Sequence, residues 1–227
     1  MTTEPVAGDD YMAYEAPTFV ETPEEIEYEM RSAEGAMWTA GRLVIGIGAF
    51  FFASLAFAYF YLRSTNSENL WRPGDITAPT AIGAAVFAFV VAGALLNGYG
   101  MARLRRGDTL DWEVSAWIAI LGGIVALGLQ VWELTQLPFF PGSSGYASCF
   151  IGWAVMNVAL LLVGLYWLET LLARWLRLRR AVVEDGGPAR SNMPVARLFR
   201  ANLEACWYFW AFMVVVELFF WLLFYVI

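Results

Sequence analysis

Four polar side chains stand inside stretches of the chain that are otherwise apolar, and these are the residues that could do chemistry. Gln130 and Glu133 are three residues apart, so a helix places both on one face. Asn157 and Glu217 each lie in a separate apolar stretch. Buried amide and carboxyl groups can take part in moving a proton or an ion, or they can hydrogen-bond a neighbouring helix. We predict helix–helix contact, because the sequence provides no series of such groups that would reach across a membrane.

The composition excludes several classes of protein and of site. The 227 residues are 59% hydrophobic and 15% charged, whereas a soluble domain is about 25% charged. There is no His and there are only 2 Cys, which excludes the usual zinc sites and His-ligated haem or copper. The net charge of −7 is unfavourable for nucleic acid. We therefore predict no catalytic, cofactor-binding or metal-binding residue in this chain.

The elements that must position the polar residues are transmembrane helices. Five apolar stretches are each long enough to cross a hydrocarbon core of about 30 Å at about 1.5 Å per residue. They cover residues 38–62, 79–102, 112–137, 146–175 and 202–227. Separate helical spans predict an all-α membrane protein, a bundle of five transmembrane helices, with residues 38–227 as its membrane domain.

The charged residues predict how the bundle is oriented. Residues 1–37 form an acidic extramembrane tail with 10 acidic residues and one Arg. All 14 basic residues are Arg, and ten of them fall in the two loops that join spans two to three and four to five. The positive-inside rule places these loops in the cytoplasm, so we expect the N-terminus inside and the C-terminus outside. The other two loops hold only Arg63 and Arg72, and we count Arg63, like Asn157, as a candidate structural or interface residue.

Several short motifs, taken in order, resemble a known family. They are Phe51-Phe52 followed by Tyr59 to Arg63, the Q-x-x-E of Gln130 to Glu133, the segment Tyr146 to Phe150, and the C-terminal Phe209 to Phe212 with Leu222 to Tyr225. The pattern is similar to the short, five-helix form of haem–copper oxidase (cytochrome c oxidase) subunit III. The resemblance covers roughly residues 38–227 and rests on the order and spacing of the motifs.

The polar signature of that family is degenerate here. The family's carboxylate in the first span falls on Gly48, a His of the fourth span falls on Asn157, and the Trp of the last span falls on Glu217. Only Gln130 and Glu133 are retained. The family's membrane carboxylate therefore has no counterpart at its usual position.

The resemblance implies a non-catalytic subunit of a respiratory terminal oxidase. Such a subunit holds no cofactor, packs against a subunit I that carries haem and copper, and binds phospholipid. It would lie in the inner (plasma) membrane of a bacterium. Two alternatives stay open: a subunit III-like accessory protein of a nitric oxide reductase, and a free-standing small transporter. An enzyme with its own intramembrane site is disfavoured, because no catalytic constellation is evident.

Overall fold

Five long helices form a bundle in the part of the chain that the structure describes. The computed structural model describes residues 22–66, 70–181 and 193–227. The helices are α1 (Pro23–Ser64), α2 (Thr80–Arg106), α3 (Thr109–Thr135), α4 (Gly145–Ala181) and α5 (Pro194–Trp221), followed by a π-helical turn at Leu222–Val226. The described residues contain no β-strand. All five helices are long and apolar enough to cross a membrane, which makes the chain a multi-pass membrane protein and confirms the predicted number of spans.

The first helix begins well before the predicted span. It has 42 residues, which at about 1.5 Å per residue is roughly twice the thickness of a hydrocarbon core. It begins at Pro23 because Thr22 forms a capping box with Glu25: the Thr22 hydroxyl accepts from the Glu25 backbone N–H, and the Glu25 carboxylate accepts from the Thr22 N–H at 2.7 Å. The helical part of the acidic tail is thus continuous with the first span, and residues 1–21 lie outside the described residues.

A tight turn joins α2 to α3 at what we call the Arg-rich end of the bundle, the end that also holds the C-terminus of α4 and the N-terminus of α5. Gly107 ends α2 in the left-handed conformation, with φ 97°, which favours glycine. Arg103 closes the turn by binding the carboxylates of Asp108 at 3.1 Å and Asp111 at 2.6 Å. These contacts fix α2 and α3 as an antiparallel pair.

Helix α5 lies at the centre and packs against α1, α2 and α4. Two aromatic cores fill the bundle. The core near the Arg-rich end includes Trp112 and Trp175, whose ring centroids are 4.9 Å apart. The core near the opposite, Arg-poor end includes Tyr146, Phe150 and Phe224. Large aromatic rings pack more favourably against one another than against lipid chains, so these cores hold the helices together.

Two buried tyrosines stabilise the π-helical turn that ends the last span. A π-turn disrupts the regular helical hydrogen bonds, and a membrane offers no water to replace them. The Tyr59 hydroxyl donates to the Leu223 carbonyl at 2.7 Å, and the Tyr146 hydroxyl donates to the Phe224 carbonyl at 2.9 Å. The first and fourth spans therefore clamp the end of the fifth.

Candidate functional site

The four polar residues singled out in the sequence meet in one place. The Gln130 amide donates to the Glu133 carboxyl at 2.7 Å along α3. The Asn157 amide on α4 donates to the Gln130 carbonyl at 3.0 Å and also to the Glu217 carboxyl on α5. All four side chains are buried. We call these four residues, with Tyr225, the polar cluster; it joins three helices at the boundary between the two aromatic cores.

Tyr225 is the member of the polar cluster that sequence reasoning missed as a site residue. Its hydroxyl donates to the Glu133 carboxyl at 2.5 Å. Its ring passes close to α2 at Gly83, where an added Cβ would collide with the phenol. The available signal was spacing, because Tyr225 follows Glu217 by eight residues, about two helical turns along the same face.

Arg63 lies outside the polar cluster. Its guanidinium donates to the Tyr59 hydroxyl at 3.2 Å and sits 5.9 Å from the centre of the Tyr59 ring. The same hydroxyl donates to the C-terminal turn. Arg63 therefore acts on the clamp at the Arg-poor end rather than on the buried carboxyl groups.

The hydrogen bonds within the polar cluster come from neutral groups. Glu133 accepts from an amide and a phenol, and Glu217 accepts from an amide. In the part of the chain that the structure describes, neither carboxyl group forms a salt bridge. The carbonyl oxygen of Asn157 is buried without a partner, as is the indole nitrogen of Trp153 one turn away. This arrangement can link the helices by hydrogen bonds, and it leaves one buried acceptor, the Asn157 carbonyl oxygen, without a donor.

The Arg-rich end carries a second set of polar contacts, outside the spans predicted at residues 38–62 and 202–227. Arg197 at the start of α5 binds the carboxylates of Glu27 and Glu34 on α1, each at 2.7 Å. The hydrogen bond to Glu34, and after it the bond to Glu27, raises the pKa of the Arg197 guanidinium. In turn, the hydrogen bond from Arg197 lowers the pKa of the Glu27 carboxyl below its usual range. The helical extension of α1 is thereby attached to α5.

Two more ion pairs at the Arg-rich end join residues that are far apart in sequence. Arg105 on α2 pairs with Glu204 on α5, and Arg179 on α4 pairs with Glu113 on α3. No group of three or more His, Cys, Asp or Glu side chains that could hold a metal ion occurs among the described residues. Both cysteines are buried and unpaired.

Comparison with known proteins adds no assignment. No protein-family model matches the chain, and no curated protein matches it.

Proposed function

We propose that the chain is a non-catalytic, subunit III-like component of a respiratory terminal oxidase of the cytochrome c oxidase type. The observation that carries this proposal is the polar cluster. Gln130 and Glu133, the retained part of the family's signature, hydrogen-bond with Asn157, which stands where the family has a His. The three positions, which the resemblance matches individually to positions of the family, therefore belong to a single contact between helices.

In this role the polar cluster stiffens the bundle. Hydrogen bonds between transmembrane helices set their rotation as well as their distance. A rigid bundle presents fixed apolar faces to its neighbours, and the many exposed hydrophobic side chains provide them, among them Leu121 at 60% and Tyr166 at 70% exposure. The proposed neighbours are phospholipid and an oxidase subunit I that carries the haem and copper.

The proposed orientation follows the arginines. The Arg-rich end faces the cytoplasm, with α1 entering from that side and the C-terminus outside. The proposed membrane is the inner membrane of a bacterium. Cysteine labelling with a membrane-impermeant reagent in intact cells tests this orientation: a cysteine introduced at Ser143 should react and one introduced at Thr109 should not.

The test of the proposed function is purification of the tagged full chain in a mild detergent, read by visible spectrum and mass spectrometry. We expect haem absorption bands and a multi-span haem-binding subunit in the same complex. Consumption of oxygen rather than nitric oxide would identify the complex as a terminal oxidase. A colourless protein that purifies alone, or a complex that reduces only nitric oxide, would overturn the proposal.

The role of the polar cluster has its own test in the purified complex. Glu133→Leu removes the acceptor for both Gln130 and Tyr225, so it should loosen the bundle and release the chain at a lower detergent concentration. The haem spectrum of the partner should not change. Val131→Leu, on an exposed part of α3, is the matched control and should behave like the wild type. Equal retention of the Glu133→Leu and wild-type chains would contradict the assigned role.

A further inference from the structure

Helix α1 is the least covered helix of the bundle. Only one stripe of it is buried, formed by Met30, Gly41, Gly48, Phe52 and Tyr59. The side that faces away from the bundle is apolar and open: Ile47, Phe50 and Phe57 are 71%, 78% and 72% exposed. The structure therefore leaves nearly a whole helical face without a protein neighbour among the described residues.

The residues along this face follow the spacing of a helix-packing seam. Steps of three and four residues connect one continuous line. Its members, which we call the α1 seam, are Ile26, Glu29, Ala33, Ala36, Ala40, Leu43, Ile47, Phe50, Ser54, Phe57 and Tyr61. A heptad repeat of this kind drifts by about 20° per repeat on a straight helix, so a second helix that follows it winds around α1 with a left-handed supercoil.

The length of the α1 seam favours a protein over lipid as its cover. From Ile26 to Tyr61 the seam rises by about 50 Å, whereas the hydrocarbon core is only about 30 Å thick. About 20 Å at the start of the seam, between three and four turns, therefore lies outside the hydrocarbon. Ile26 is nevertheless 42% exposed there, and the small side chains of Ala33 and Ala36 would allow a second backbone to approach closely.

The negative charge on the α1 seam indicates which kind of protein would bind there. Glu29 stands on the α1 seam in its extramembrane part and forms no salt bridge within the described ranges. A second copy of this chain, related by a two-fold axis normal to the membrane, would bring Glu29 against Glu29. Such a like-charge contact is unfavourable, whereas an Arg or Lys at the same height would be attracted.

We propose that the α1 seam binds one transmembrane helix of a partner membrane subunit, and that this helix continues beyond the membrane on the Arg-rich side and carries an Arg or Lys beside Glu29. The inference rests on the proposed function in one respect, namely that the partner is a different membrane subunit. It does not require that the partner hold haem.

Photocrosslinking in the native membrane tests the proposal. A benzoylphenylalanine is introduced singly at Ile47, Phe50 or Phe57 of the full chain. The controls are Val44 and Leu62, which are both 39% exposed but lie about 100° around the helix from the seam. We expect protein adducts from the three seam positions and lipid adducts from the two controls. Mass spectrometry should place the adducts on one partner helix that has a basic residue at its cytoplasmic end.

Charge reversal tests the part assigned to Glu29. Glu29→Arg should lower the crosslinking yield from Ile47 on the order of fivefold, the size of effect expected when a weak surface ion pair becomes a repulsion. Glu24→Arg makes the same change of charge on α1 away from the seam and should leave the yield unchanged. Equal effects of the two substitutions would overturn the charge complementarity.

The outcomes separate this proposal from the proposed function. Lipid adducts alone at the seam positions, equal protein adducts at seam and control positions, or adducts to a second copy of this chain would overturn the docking surface, even if the complex contains haem. Seam-specific adducts to a basic-ended helix of a haem-free membrane protein would support the docking surface and overturn the oxidase proposal.

Discussion

Asn157 is the residue whose replacement should reveal most about the polar cluster, because a single amide group connects α3 to α5. Its nitrogen donates to Gln130 at 3.0 Å and to Glu217. In Asn157→Leu both bonds are lost, while the two acceptors stay buried in a region without water. Leaving a buried acceptor without a donor is what makes such a substitution unfavourable.

The expected loss of stability follows from the number of bonds. A hydrogen bond between transmembrane helices contributes about 0.6 kcal/mol on average and about 1.7 kcal/mol at most, so two lost bonds predict a loss of about 1–3 kcal/mol. The chain offers a matched control in Asn97, which is also buried on a membrane span. Its amide nitrogen has no hydrogen-bond partner, and its side chain lies beside the weakly polar thiol of Cys206. Asn97→Leu should therefore change stability by less than about 0.5 kcal/mol.

The assay is reversible unfolding of the purified chain in mixed micelles by titration with a denaturing detergent, followed by tryptophan fluorescence. A double-mutant cycle with Glu217→Leu, which removes the acceptor, isolates the contact between Asn157 and Glu217 from the contact with Gln130. The reasoning would be refuted if Asn157→Leu unfolded at the same detergent concentration as the wild type. It would also be refuted if Asn97→Leu were equally damaging, because loss of stability would then follow from replacing any buried amide.

Two further predictions concern close packing and pH. Gly83→Ala should lower the free energy of unfolding by about 1–3 kcal/mol, because the new methyl group collides with Tyr225. The control is Gly128→Ala, which has open space around it and should be neutral or stabilising. Equal effects of the two substitutions in the same unfolding assay would argue against the packing of Tyr225. The bond from Arg197 lowers the pKa of Glu27 below its ordinary value of 4.5, so its contribution to the attachment of α1 is complete above pH 4.5 and is lost as the pH falls through the lowered pKa. The hydrogen-exchange protection factors of the α1 extension, which are corrected for the pH dependence of intrinsic exchange, should accordingly fall in acid. In Arg197→Gln they should be lower already at neutral pH. Wild-type protection factors that do not change with pH would contradict this.

The bundle could be predicted closely from the sequence because a membrane span is a local property. An uninterrupted apolar stretch of sufficient length leaves a backbone in lipid little choice but a helix. The predicted second span, residues 79–102, corresponds to Thr80–Arg106, and the predicted third, residues 112–137, corresponds to Thr109–Thr135. The early start of α1 at Pro23 differs more, because its extension depends on a cap at Thr22 and on attachment to Arg197 rather than on hydropathy.

Part of the polar cluster could be predicted from the sequence and part could not. The pairing of Gln130 with Glu133 could be predicted, because the two are three residues apart on one helix. Their meeting with Asn157 depends on how α4 is rotated against α3, and side-chain packing and the hydrogen bonds between the helices fix that rotation together. Hydropathy is the same for every rotation, so it contains no information on this point.

The sequence by itself determined that five helices cross a membrane and where each helix lies along the chain. It also determined which polar residues these helices carry into the membrane. The tertiary structure alone decided which of these residues touch. Tyr225 reaches Glu133 across 92 residues of sequence, and Arg197 reaches Glu27 across 170. Contacts over such separations arise only when packed helices bring distant turns to the same height, because a hydrogen bond acts over about 3 Å and no local pattern encodes that coincidence.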